Sequence, residues 1–367
     1  MDIEEKEEEF VVGVLPGNAA LLSDLSEQSD ELSKEISYLL GGVESYRDIN
    51  HRSRFPLVIT REDFSVDIKG IIERILNYLK NLVKDIFDGS TAGALALEGV
   101  LTRAERVLVD GRSIRRNHAK RDFVITTRIA NLSVRYRPIS DPQQLLNHLK
   151  VLNSTLRTTF TYLTHSVFTG FDPLLRFDPL VDDINELARL LQSSAPSVLA
   201  DDARFSNQGF KITSPQLLGC QQLVITNRRA DSSPLEQILG CYMSLETAEK
   251  EARAVPDSIK YEKFGLSLEQ SIVREVISIA GTIGGYNTLN RRSLRRNRLA
   301  SLTDRMSALS NQLDNGEYTS DQMTSIRNYI RVLEVYSGWI GSPYVGLIAL
   351  THRNLTAILN VCEGNAK

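Results

Sequence analysis

The sequence predicts a mainly α-helical protein: a helical body, one long amphipathic helix and a small β element. Three observations carry this expectation. Within residues 65–87, Ile68, Ile72, Ile75, Leu79, Leu82 and Ile86 recur at intervals of four and three, the spacing of a single helix face. From Ser267 onward, four further apolar seams follow one another, separated by turn residues. Residues 123–136 and 221–227, by contrast, have the β-branched character of strands, with partial alternation in the first.

A chain of 367 residues is long enough for a real core plus an appendage. The patterns divide it into an acidic N-terminal segment (1–62), a stretch with the long amphipathic helix, a second helix and a basic segment (63–137), and a helical body with a small β insertion (138–367). Hydrophobic residues at 42% and charged residues at 24% fit an ordinary soluble globular protein. No apolar run approaches the roughly 18 residues that a membrane span needs. The acidic opening MDIEEKEEEF is the opposite of a secretory signal or transit peptide. Cys220, Cys241 and Cys362 are odd in number and scattered, so they read as reduced packing residues rather than a disulfide framework or zinc site. The net charge of −3 hides an asymmetry. Residues 1–62 hold 14 acidic and 6 basic side chains, a net of −8, which leaves 32 against 37 and a net of +5 for the rest.

The elements follow in order. In the acidic segment, Leu21, Leu22, Leu25, Leu32, Ile36, Leu39 and Leu40 take helical spacing until Gly41-Gly42 stops it. In 65–87, Ile71, Leu76, Val83 and Phe87 widen the apolar face, while Lys69, Arg74, Asn77, Lys80 and Lys84 lie on the other side. Burying each large apolar side chain is worth about 1.5–3 kcal/mol, so this face must dock on something. Residues 92–109 read as a second helix. Asp141-Pro142 opens another, with Gln144 placed to complete a capping box. Its buried face is Leu145, Leu149, Leu152, Leu156, Leu163 and Val167, and Gly170 closes it. FDPL occurs at 171–174 and again at 177–180, the second copy starting a helix that carries Val181, Ile184, Leu187, Leu190 and Leu191. Residues 193–219 read as loop, and 223–226 as a strand positioned to pair with the one near residue 130. Ser267 and Gln270 resemble a capping box ahead of Leu268, Ile272, Val276, Ile279 and Ile283. Leu299, Leu302, Met306, Leu309 and Leu313 form the next seam. Thr319 and Gln322 open another, with Met323, Ile326, Ile330, Leu333 and Ile340. Ser342-Pro343 starts the last, with Tyr344, Leu347, Ile348, Leu355, Leu359 and Cys362 facing inward. Short turns between these helices imply antiparallel packing in a bundle.

Little in the residues points to catalysis. His51, His118, His148, His165 and His352 lack metal-ligand spacing. Gly281, Gly284 and Gly285 do not follow a strand, as a nucleotide loop requires. No enzyme, metal or cofactor is therefore expected. Cationic clusters are the stronger lead. Arg112, Arg115, Arg116, Lys120 and Arg121 put five cations in ten residues, and Arg291, Arg292, Arg295, Arg296 and Arg298 put five guanidinium groups in eight. Arginine matches phosphate with its bidentate fork, and such contacts give sequence-independent, salt-sensitive binding to nucleic acid. The alternative is a solvated face balanced by acids elsewhere. Few aromatics interleave these arginines, so base stacking is not indicated. The 65–87 helix mixes Lys69, Arg74, Lys80 and Lys84 with Asp67, Glu73 and Asp85. It lacks the cationic excess of a lipid-surface helix, which favours packing on protein over membrane.

Four stretches carry a family resemblance. They are Ile59-Thr60-Arg61-Glu62-Asp63-Phe64, the amphipathic helix behind it, Ser214-Pro215-Gln216-Leu217-Leu218-Gly219 with the strand after it, and the closing helix, Tyr344 to Val361, with its L-T-x-x-N-L-T-A-I-L-N-V pattern. Together they resemble the internal head proteins of large myovirus-type tailed bacteriophages. The resemblance covers most of residues 59–367 and is one of layout and short patterns. It implies a structural virion protein, made in the host bacterial cytoplasm and packed inside the capsid with the genome. Its implied partners are capsid or other internal head proteins, packaged double-stranded DNA and a prohead protease that removes a propeptide. Such proteases cut after Glu with a small or aliphatic residue two positions earlier, which places the implied cleavage between Glu62 and Asp63, read through Thr60 and Arg61. Ala96-Leu97-Glu98 fits the same rule but lies inside a predicted helix. Independently of the resemblance, removal of 1–62 would leave a body of +5, better suited to lie against DNA. Two other readings stay open: a membrane-active protein ejected with the DNA through the 65–87 helix, and a scaffold-like assembly factor whose acidic segment is discarded.

Overall fold

A computed structural model describes residues 76–77, 97–109, 122–227, 232–247, 256–286, 289–313, 318–341 and 343–366, with backbone alone at 289–296, 310, 312, 313, 341, 345 and 366. These residues are mostly helical with small antiparallel sheets, the fold class expected from the sequence. Of the 65–87 stretch, Leu76 and Asn77 are described. Both are helical; Leu76 packs against the core and Asn77 is exposed, each on the side its spacing assigns. The rest of that helix and the whole of 1–62 lie outside the described residues.

Helix α1 spans 97–109 and includes Leu97 and Glu98 of the second potential cleavage pattern. Strand β1 (Phe123–Ile125) is followed by a 3-10 turn and by two short strands, β2 (Ser133–Val134) and β3 (Arg137–Pro138). Helix α2 (Pro142–Thr164) starts where Asp141 accepts a hydrogen bond from Gln143 N at 2.9 Å. The cap thus works through Gln143 rather than through the expected box with Gln144. All six apolar residues of the predicted face are buried, the last of them in α3 (Ser166–Thr169) because the helix breaks at His165.

The repeated FDPL motif takes two conformations. The first copy lies in α4 (Phe171–Arg176), whereas the second forms a turn, with Asp178 Oδ1 accepting from Leu180 N at 3.0 Å. Helix α5 (Ile184–Leu191) begins only at the next cap, Asp183, which leaves Val181 (81% exposed) outside it, while Leu190 (56%) lies within it on the side away from the buried Ile184, Leu187 and Leu191. Side-chain bonds from aspartates compete with helix formation, and here they win. Residues 193–219, expected as loop, hold two 3-10 turns and strands β4 (Ser206–Asn207) and β5 (Lys211–Thr213). Strand β6 (Gln221–Thr226) is the expected strand. Helix α6 (Pro234–Leu239) carries a full capping box between Ser233 and Glu236 and leads into β7 (Tyr242–Thr247). Then follow β8 (Ile259–Tyr261), α7 (Leu266–Tyr286), α8 (Leu289–Leu313), α9 (Ser320–Gly341) and α10 (Tyr344–Ala366).

Strand pairing departs from expectation. The order β4-β5-β6-β7 forms one antiparallel sheet, and β6 pairs along its whole length with β7, Leu223 opposite Leu245. The strand near residue 130 does not join it; β1 pairs with β8. The two regions meet by a different route, because Gly219 N and Cys220 N both donate to Ser133 O, at 3.0 and 3.3 Å. β7 and β8 lie among helical patterns, which concealed the true partners.

The core runs between helices. α2 packs along α7, where the buried Asn153 donates to Glu275 Oε1 (2.6 Å) and Ser278 Oγ (3.0 Å) and accepts from Thr282 Oγ1 (3.1 Å). Ile272, Val276, Ile279 and Ile283 of α7 are buried as predicted, but the helix starts at Leu266, with Gly265 O taking the first N–H groups instead of a Ser267–Gln270 box. The Thr319–Gln322 box of α9 does form, each side chain bonding the other's backbone N–H, at 3.0 and 3.3 Å. Arg103 of α1 grips Glu363 of α10 with two bonds, 2.5 and 2.7 Å. Asn365 Nδ2 ties the end of α10 to Glu269 Oε2 of α7 at 2.5 Å.

Candidate functional site

The residues proposed from the sequence fall mostly beyond what is described. Thr60, Arg61, Glu62 and Asp63 lie outside the described residues, as do Arg112, Arg115, Arg116, Lys120 and Arg121. Arg291, Arg292, Arg295 and Arg296 lie on the first turns of α8, known by backbone alone.

Arg298, the last member of that cluster, is described with its side chain. Its guanidinium Nη1 donates to Phe168 O, and its Cζ sits 5.7 Å from the Phe168 ring centroid and 5.6 Å from that of Phe171. Those two rings stack on each other at 5.4 Å. A cation over aromatic faces contributes about 0.5–2 kcal/mol according to its desolvation. Arg298 thus closes the α3–α4 corner rather than joining an outward cationic patch. Leu302, Met306 and Leu309 continue inward beneath it.

A second site was not foreseen from the sequence. A polar cavity of about 440 Å³ opens between the β2–β3 turn and the β4–β6 edge, with Arg135, Arg204, Lys211, Ser214, Gln216 and Gln222 on its walls. No carboxylate is among its lining residues. Asp202 holds Arg204 with bonds of 2.8 and 2.5 Å, and Arg204 in turn keeps that carboxyl at about 2, below the usual aspartate range. Glu246 lies 3.6 Å from Lys211.

The backbone beside this cavity is strained. Arg135 and Tyr136, the two central residues of the β2–β3 hairpin, have φ of 49° and 62°. Positive φ at both positions marks a type I′ turn, usually made by Asn-Gly. Holding a bulky L-residue there costs about 1–2 kcal/mol. Cys220 (φ 57°) and Gly219 (φ 81°) are left-handed as well, and Tyr136 N donates to Cys220 Sγ at 3.1 Å. Asn354 of α10 reaches up from the core, with Nδ2 on Leu218 O at 3.0 Å, to brace the junction.

Elsewhere the titratable groups serve packing. Burial pushes the Cys241 thiol up to about 11 and raises that of Cys220; all three cysteines are buried and free. His352 is held down at about 4 by burial first and then by Arg128 and Arg353. His148 is lowered by burial. Among the described residues no group of three or more His, Cys, Asp or Glu is placed to hold a metal ion. No described helix is long and apolar enough to cross a membrane. No family model matches the chain, and neither a curated protein nor a solved structure matches it.

Proposed function

We propose that this chain is a structural protein of a bacteriophage head interior, matured by prohead-protease cleavage after Glu62, whose body lies against packaged DNA. The resemblance of the four quoted stretches motivates the reading. The observation that supports it best is the run Arg291, Arg292, Arg295 and Arg296 opening α8, joined in sequence by the 112–121 cluster and by the charge step at residue 62. Arg298 is left out of the contact set because it is engaged inward. In finer detail, 65–87 forms one long amphipathic helix docked on the body, in keeping with Leu76 packed and Asn77 exposed, and α7–α10 form a helical bundle.

The test is duplex DNA binding by the full chain across a salt series. Each neutralised phosphate contributes about −0.9 to the slope of log K against log salt. Charge reversal at Arg291, Arg292, Arg295 and Arg296 is therefore expected to weaken binding and flatten the slope by about 3–4. Cleavage after Glu62 is expected to tighten binding, since the −8 segment competes for the same cations. Binding indifferent to both salt and these substitutions would refute the DNA-facing role.

A further inference from the structure

We infer that the cavity beneath the β2–β3 turn binds a small phosphorylated, hydroxyl-bearing molecule of the sugar-phosphate class. Three cationic residues, Arg135, Arg204 and Lys211, line one space; the acids that pair two of them, Asp202 and Glu246, stand outside its lining, and Arg204 Nη1 also donates to Ser154 O at 3.2 Å. Arg135 itself makes no ion pair among the described residues. Attraction scales with the product of the charges, so a phosphomonoester dianion gains more from this arrangement than a single carboxylate.

The neutral wall fits the remainder of such a ligand. Gln222 Nε2 donates to Ser214 O at 2.6 Å, which fixes the amide and turns its Oε1 toward Gln216 Nε2 at 2.7 Å. The orientation of Gln216 follows, and its buried Oε1 is left without a donor. A carbonyl anchors this chain of amides, so flipping either one would set two donors or two acceptors against each other. Amides and hydroxyls on a cavity wall are the partners that sugar hydroxyls use. A volume of about 440 Å³ exceeds what a bare phosphate fills and lies within the range of small-molecule sites. The strain at Arg135 points the same way. An arginine where Asn or Gly is favoured is held at a cost in backbone strain, and such outliers gather at ligand sites.

Calorimetric titration of the full chain tests this, with ribose 5-phosphate, ribose, inorganic phosphate and a short DNA duplex as separate probes. Ribose 5-phosphate is expected to saturate a single site, with ribose and inorganic phosphate each at least tenfold weaker. Arg135→Asn keeps a residue that tolerates positive φ, and is expected to weaken ribose 5-phosphate at least tenfold without lowering the melting temperature. Lys211→Gln, away from the strained turn, is expected to weaken it as well. The inference is overturned if ribose 5-phosphate does not bind, if both variants bind it like the parent, or if inorganic phosphate binds equally well. It is also overturned if the duplex, rather than the sugar phosphate, is what Arg135→Asn weakens. Reversal of the α8 arginines leaves this site intact, so failure here and failure of the DNA-facing role are separable.

Discussion

Two regions of the molecule use opposite designs. Under α9, Tyr329, Tyr336 and Trp339 are fully buried, and each polar tip meets a carbonyl of another segment: Tyr329 Oη donates to Leu174 O at 2.6 Å, Trp339 Nε1 to Cys241 O at 2.6 Å, and Tyr336 Oη to Val167 O. Phe177 and Phe171 pack on the Tyr329 and Tyr336 rings at 5.0 and 5.3 Å. At the junction of the β2–β3 turn with Gly219-Cys220, left-handed residues cluster, and Gln216 Oε1 and Asn354 Oδ1 are buried without donors. In the first region local preference and packing agree and each aromatic polar tip is satisfied, with Arg305 Nε the one buried donor beside them that lacks a partner among the described residues. In the second they conflict, and natural proteins place such conflicts where a site is needed.

Breaking the first region is expected to have the largest effect. Trp339→Ala opens a cavity at the meeting of α9 and β7 and removes the donor on Cys241 O, for a loss of about 3–5 kcal/mol in urea unfolding. Gly219→Ala attacks the junction. A Cβ there would stand 2.7 Å from Leu350 Cδ1 and 3.1 Å from Asn354 Oδ1, at a φ of 81°. Strain and overpacking together are expected to remove about 2–4 kcal/mol, read by the same unfolding curves.

The helices that frame the first region were legible in the sequence, because a buried helix writes its face at 3.6-residue spacing, whereas its aromatic anchors Tyr329, Tyr336 and Trp339 were not among the residues that spacing picked out. Every described member of the seams at 145–167 and 299–309 is buried. The junction was not legible. Its pairing joins Ser133 to Cys220 across 87 residues, and its turn is built from Arg-Tyr instead of the Asn-Gly that announces a hairpin. The cavity residues come from the β2–β3 turn, the segment leading into β4, β5, the β5–β6 connection and β6, and no spacing rule gathers them. Arg298 failed for a related reason. A guanidinium in a basic run looks like its neighbours until the rings of Phe168 and Phe171, more than 120 residues earlier, close over it.

A pH series sharpens the contrast from the side of the core. His352 stays neutral in the folded protein down to about 4, while in the unfolded chain it takes up a proton near 6.5. Between those values the unfolded state binds more protons, so stability is full above about 6.5 and falls as the pH drops toward 4, by about 2–3 kcal/mol for this group. His352→Gln is expected to flatten that part of the stability–pH curve. The smallest effect belongs to Arg135→Asn, which relieves part of the turn strain and is expected to leave stability unchanged or raise it by up to about 1 kcal/mol. A loss of stability there would mean that Arg135 supports the fold, erasing the distinction drawn between the two regions.

The central claim, a processed protein inside a phage head, is tested most directly by intact-mass and peptide mass spectrometry of purified phage particles whose genome encodes this chain. The account predicts that the chain is present in the particle, with Asp63 as its first residue and no peptide from 1–62 attached to it. Its absence from the particle, or a virion form beginning at Met1 or Asp2, would contradict the account.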